Sequence, residues 1–422
     1  MPSLRSATLG TLVLAALATA CDDGTAPSCS LGLETRVDTP LPPGRAVDLL
    51  IVLDRTPSMD GARQLVDGLA RQIDDLLAGL PGPIDLRVAA ISSELGATGV
   101  AGCGNAILPR MIAPMERCGV ADPFLRVIVE PGGAGNLTTS LDEALACWLD
   151  VAVSTCPVSQ PLLAAVRAFG PGATFADDIR RPDAHLAILI VTDGDDCSLG
   201  QAGALATDGT IEGEAAADHA CFARGVVCDQ PADAPGVHTN CRPTSAGGLI
   251  DVASRVQTLR GLGGPLPALI GVVAGDGEVE ILSGPALAPA CTQGGARFAP
   301  AVRLGAITGD ATAVAACPAD PLDALAPLAD RFRQVTGQPC LEPLADLEPG
   351  VAGFQGRCRA AIEEGPSVDP VRACDDPARD PDQPCLRFTQ AADPACTVPV
   401  IEPGRSATAS TTATVRCALR CD

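Results

Sequence analysis

Two runs of this chain read as strands buried on both faces. Residues 47–53 (VDLLIVL) and 185–191 (HLAILIV) are almost unbrokenly apolar, and a strand of that kind belongs in a parallel sheet with helices covering each side. Around them the period changes in the way such a sheet needs. Leu65, Leu69, Ile73, Leu76, Leu77 and Leu80 recur at helical spacing until Pro81-Gly82-Pro83 stops the helix. Strands are expected again at 84–91, 125–129 and 268–273, and helices at 141–151, 162–169, 250–262 and 322–335. Strands alternating with helices at these lengths predict an α/β fold with a doubly wound, mostly parallel sheet over residues 47–340.

Two regions break that rhythm. Residues 197–241 carry four cysteines with little periodicity, which predicts a disulfide-stapled insertion above the sheet. From 341 to 422, Pro, Asp and six cysteines dominate, with a β-prone run at 408–415, which predicts a small Cys-rich, β-rich C-terminal domain held by bridges. The chain has 19 cysteines but 3 histidines, with no C-x-x-C pair and no H-E-x-x-H, so disulfides rather than zinc sites are expected. Short loops would be closed by Cys221 with Cys228, Cys374 with Cys385, and Cys317 with Cys340.

Bridges at that density require an oxidising compartment, and the amino terminus supplies a route to one. Arg5 precedes an apolar stretch, 9–17, which is too short to span a bilayer and leads into Ala18-Thr19-Ala20-Cys21. Residues 1–21 are therefore expected to be a signal peptide whose end resembles a bacterial lipobox, with Cys21 as the lipidated residue. Residues 22–46, rich in Pro, Gly, Thr and Asp, are expected to form a flexible stalk. The protein would then be exported and lipid-anchored in the cell envelope, in the periplasm or on the outer surface. A net charge of −22 repels phosphate backbones and argues against nucleic-acid binding.

Both buried runs end in carboxylates, Asp54 and Asp193, and ligands of open α/β sheets gather at the carboxyl ends of the strands. Asp54-Arg55-Thr56-Pro57-Ser58 adds two hydroxyls at alternate positions, a donor set that suits a hard cation such as Mg²⁺. Here the chain resembles the von Willebrand factor type A (vWA) family, whose metal-ion-dependent adhesion site opens with Asp-x-Ser-x-Ser after the first strand. Asp54, Thr56 and Ser58 match that opening, and Thr192-Asp193-Gly194 matches the later loop that completes it. The family's third hydroxyl precedes the helix expected at 162–169. The stretch there reads Cys156-Pro157-Val158-Ser159-Gln160-Pro161, which makes Ser159 the candidate, with Thr138-Thr139 as an alternative.

A narrower resemblance is to cysteine-rich vWA-like lipoproteins of myxobacteria, carried by Asp195-Asp196-Cys197-Ser198 and Gly353-Phe354-Gln355-Gly356-Arg357-Cys358. The resemblance implies a divalent cation (Mg, or Mn or Ca) held by Asp54, Thr56, Ser58, Asp193 and Ser159. It also implies an acidic protein or polysaccharide partner whose carboxylate completes the site. The expected role is metal-dependent adhesion or protein binding; the alternative is a structural envelope scaffold with a degenerate, metal-free site. No nucleophile elbow or phosphate-cradling loop points to an enzyme.

Overall fold

The computed structural model describes residues 34–41, 46–62, a few positions between 68 and 73, 84–315 and 358–390 with interruptions, 397–402 and 411–418. The main elements run in chain order as β1 (Glu34–Leu41), β2 (Ala46–Leu53), β3 (Ile84–Ser92), β4 (Leu125–Val129), α1 (Leu141–Leu149), α2 (Pro161–Ala168) and β5 (His185–Val191). They continue with α3 (Glu214–Gly225), α4 (Val252–Gly261), β6 (Leu269–Ala274), α5 (Val302–Gly305) and β7 (Thr312–Ala315). The last strands are β8 (Cys358–Glu364), β9 (Ser367–Ala373), β10 (Cys385–Gln390), β11 (Thr397–Glu402) and β12 (Thr411–Ala418).

The central sheet has the order β7-β6-β5-β2-β3-β4, parallel throughout except for the antiparallel edge strand β4. Because side chains alternate across a strand, the two runs feed two cores at once. Leu49, Ile51, Leu53, Leu189 and Val191 face a layer containing Leu145 and Trp148 of α1. Leu50, Val52, Ile188 and Ile190 face Leu162 of α2 and Val256 and Leu259 of α4. Trp148 is 1% exposed and donates its indole N–H to the Ile112 carbonyl at 2.7 Å, so its polar edge is satisfied inside the core. The α/β expectation therefore holds, with helices on both faces.

Asp48, the polar interruption of the first run, is fully buried and anchors Arg181, whose Nε and Nη2 reach Oδ1 at 2.8 and 2.7 Å. The Arg181 amide donates to Oδ2 at 2.6 Å. A buried carboxylate in a strand is tolerable only with such partners.

The C-terminal region is β-rich as expected, a sheet ordered β1-β12-β8-β9-β10-β11. Its first strand corrects one expectation. Glu34–Leu41 falls within the segment read as a flexible stalk, yet it pairs antiparallel with β12 from Glu34↔Ala418 to Leu41↔Thr411. The signal was there in the alternation of Thr35, Val37, Thr39 and Leu41 with Glu34, Arg36, Asp38 and Pro40, a period of two with Pro at a sheet edge.

Among the described residues five disulfides join Cys103–Cys156, Cys118–Cys147, Cys197–Cys221, Cys228–Cys241 and Cys374–Cys385. The expected 374–385 bridge forms. The expected 221–228 bridge does not, because Cys221 ends up buried against the loop after β5 and bonds Cys197, leaving Cys228 to Cys241. Cys21, Cys317, Cys340, most of the helix expected at 65–80 and the helix expected at 322–335 lie outside the described residues. Among the described residues no helix is long and apolar enough to cross a membrane.

Candidate metal centre

Parallel strands β2 and β5 lie side by side, with Leu53 opposite Val191, so the loops after them leave the sheet at the same point. The Asp54 amide donates to the Val191 carbonyl at 2.9 Å, which extends the ladder one residue and sets the carboxylate at the sheet edge. Asp54 Oδ1 accepts from the Thr56 amide at 2.8 Å and Oδ2 from the Thr192 hydroxyl at 2.5 Å. The first bond turns the chain toward a short 3₁₀ turn at Pro57–Ala62, and the second ties the two strand ends together. Thr56 Oγ1 then lies 3.3 Å from Ser58 Oγ and 3.4 Å from Asp193 Oδ1.

Ser159 arrives from the loop before α2, its hydroxyl 2.9 Å from Ser93 Oγ at the end of β3. The Gln160 amide donates to the Ser93 carbonyl at 3.0 Å and the Cys197 amide to the Ser159 carbonyl at 2.9 Å, so this loop is pinned from two sides. All five expected residues, Asp54, Thr56, Ser58, Ser159 and Asp193, line one cavity of about 330 Å³. Thr138 and Thr139 do not: Thr138 Oγ1 donates to the Gly119 carbonyl and Thr139 Oγ1 to Glu143 of α1.

No family model matches this chain. No curated protein matches it either. Among solved structures it is similar to a von Willebrand factor type A protein from Catenulispora acidiphila, at 10% identity and a TM-score of 0.29, over 94% of this chain and 67% of that one. It is similar to proximal thread matrix protein 1 from the mussel byssus at 8% identity and a TM-score of 0.29, over 71% of this chain and 50% of that one. For the pilus adhesin SpaC from Lactobacillus rhamnosus GG in its open conformation, the figures are 10% identity and a TM-score of 0.34, over 91% and 40%. The chain thus spans half or less of the mussel and Lactobacillus proteins.

The electrostatics of the cavity come from carboxylates crowded out of water. Asp193 is 3% exposed and its Oδ2 has no hydrogen-bond partner. Burial, then the charge of Asp54, pushes its carboxyl well above the ordinary range, with Glu214 and Asp218 adding to the effect. Burial also raises Asp54, against the lowering effect of the Thr192 hydroxyl, the Thr56 amide and the Ser159 hydroxyl. Asp218 is pushed up to about 8 by burial, followed by Glu214, Asp54 and Asp195. Asp195 reaches about 6 through burial, offset by the amides of Arg303 and Leu304, which it accepts at the start of α5.

Among the described residues no group of three or more His, Cys, Asp or Glu side chains is set to hold a metal unaided. The candidate set differs in kind, combining two carboxylates with neutral hydroxyls. Neighbouring ligand oxygens on an octahedron lie about 3.0 Å apart around Mg²⁺ and about 3.3–3.6 Å apart around Ca²⁺. The separations at Thr56 fall within that span, and the orphaned Asp193 Oδ2 is an acceptor without a donor. The residues present fit a divalent cation.

The Asp195-Asp196-Cys197-Ser198 loop serves a different purpose. Asp196 accepts the Leu162 amide, and the Ser198 hydroxyl accepts the Leu163 amide, which caps the start of α2. Asp196 also pairs at 3.2 Å with Arg303, both fully buried. Arg303 donates further to the carbonyls of Asp196, Gly225, Thr244 and Ile250, tying the insertion to the sheet edge. Arg303 carried no sequence signal. Glu214 and Asp218 did: they stand four apart at the start of a helix inside the insertion, which puts both carboxylates on one face.

Proposed function

We propose that the chain is an exported binding protein of vWA type that uses a divalent cation, held by Asp54, Thr56, Ser58, Ser159 and Asp193, to grip a carboxylate of an acidic protein or polysaccharide partner. The observation that carries this reading is the buried Asp193 Oδ2, left without a donor in a cavity shared with Asp54 and three hydroxyls. An unsatisfied buried carboxylate beside a second one is costly, and a cation removes both the repulsion and the orphaned acceptor. The bound cation supplies a Lewis-acidic positive charge at the sheet edge. Thr56, Ser58 and Ser159 would offer neutral oxygens, while Asp54 and Asp193 would offer charge, and Thr192 orients Asp54. The five disulfides among the described residues agree with an oxidising compartment. Attachment through lipid on Cys21 and kinship with the myxobacterial lipoproteins belong to the same proposal. Titration calorimetry of chelator-stripped protein with Mg²⁺, Mn²⁺ and Ca²⁺ tests it. One site is expected, lost in Asp54→Ala; absence of heat at millimolar cation from folded protein rejects it and leaves the scaffold role.

A further inference from the structure

The insertion contributes more than a lid of loops. Helix α3 is bonded to the loop after β5 through Cys197–Cys221, and its first turn brings Glu214 onto Ser58. The Ser58 hydroxyl donates to Glu214 Oε1, and the Ser58 amide approaches the same oxygen at 3.4 Å. Asp218, one turn further along, lines the same cavity; its Oδ1 lies 3.9 Å from where a Cβ on Gly194 would stand. The cavity wall therefore carries Asp54, Asp193, Glu214 and Asp218 against the exposed Arg297, while Asp195 is engaged by the amides at the start of α5. Four carboxyl groups facing one space can all ionise only with positive charge set among them, and on that wall the exposed Arg297 is the one cation of the described lining. The buried, partnerless Asp193 Oδ2 marks where that charge is missing.

We propose that Glu214 is itself a ligand of the cation, with Asp218 adding charge beside it, so that the disulfide-bonded insertion closes the coordination sphere from within the chain. This rests on the cation reading above and extends it. Thr56, Ser58 and Asp193 already stand at the spacing of neighbouring ligands, and Glu214 touches Ser58. Cation binding then does not wait for a partner, and a partner's carboxylate reaches the ion only by displacing Glu214. The number of oxygen donors favours an ion that accepts many ligands, Ca²⁺ over Mg²⁺.

The test is calorimetric titration of the full-length, oxidised protein with CaCl₂, MnCl₂ and MgCl₂, comparing wild type with Glu214→Gln, Glu214→Asp, Asp218→Asn and Asp54→Ala. Glu214→Gln is expected to weaken Ca²⁺ binding tenfold or more, Asp218→Asn severalfold, and Asp54→Ala to abolish it. Glu214→Asp keeps the charge but shortens the reach, and is also expected to bind more weakly. Thermal melts of the metal-free Glu214 variants should match wild type or rise, since a repelled carboxylate has been neutralised or withdrawn. Wild-type affinity in both Glu214 variants, with binding lost in Asp54→Ala, overturns the role of Glu214 and leaves the Asp54 site standing. No binding by wild type removes both.

Discussion

At the scale of single residues, buried charge decides stability. Arg303 and Asp196 are both fully buried, and the guanidinium also serves four backbone carbonyls. Removing one partner strands the other without water, a change that costs about 3–5 kcal/mol. Arg303→Met should therefore lower the urea midpoint by that equivalent, whereas Arg126→Met, at an exposed pair with Asp85, should change it little. An equal response from the two would show that the buried hub is not a stability determinant. His185, at the start of β5, gives the pH counterpart. Burial holds its imidazole below the ordinary value of 6.5, so the unfolded chain takes up the proton first as pH falls. The stability it contributes is complete above pH 6.5 and is lost as pH drops through the folded value. Denaturation at pH 7.5 and 5.5 should show a larger loss for wild type than for His185→Leu, and parallel losses would assign the acid sensitivity elsewhere.

At the scale of elements, short bridges and close backbone approaches hold what the sheet does not. Cys228–Cys241 closes a loop with a sequence separation of 13 in the insertion, where restricting the unfolded chain is worth about 3 kcal/mol. The paired change Cys228→Ser with Cys241→Ser should destabilise the protein by roughly that amount. Peptide mapping of the oxidised protein should recover 197–221 and 228–241; a 221–228 peptide would contradict the arrangement of α3. Gly275, after β6, supports the opposite wall of the cavity. A Cβ there would stand 2.1 Å from the Ala299 carbonyl oxygen, and Ala299 in turn bonds the Asp193 carbonyl. Gly275→Ala should cost on the order of 1–3 kcal/mol through overpacking. It should also weaken cation binding, because the strain is relieved toward Asp193. Unchanged binding with lowered stability would separate the wall from the site.

At the scale of the whole molecule, cation and fold should be linked. A ligand that binds only the folded state raises its stability by about 2.7 kcal/mol at a hundredfold excess over Kd. Saturating Ca²⁺ or Mn²⁺ should raise the melting temperature of wild type and leave Asp54→Ala unmoved; an equal rise in both would reduce the effect to nonspecific screening of the −22 charge. Anchoring belongs to the same scale. Cys21→Ser should move the protein from the detergent phase to the aqueous phase in a phase-partition assay, and an aqueous wild type would reject lipidation.

The sequence by itself determined the two-sided core, because alternation along VDLLIVL and HLAILIV sends side chains to both faces whatever surrounds them. It also pointed Asp54, Thr56, Ser58 and Asp193 to one edge, since parallel strands end there and their loops start there, while the choice of Ser159 over Thr138-Thr139 was left to the packing of the loop before α2 against Ser93. Tertiary structure alone decided the rest. Arg303 and Asp196 are 107 residues apart, and nothing local distinguishes that Arg from an exposed one. Cys221 takes Cys197 over its nearer neighbour Cys228 because α3 packs against the loop after β5, a long-range contact that spacing cannot encode. Strand β1 joins the last sheet through pairing with a segment at least 370 residues away, from Leu41↔Thr411 outward, and pairing partners at that separation are chosen by the assembled surfaces rather than by either segment.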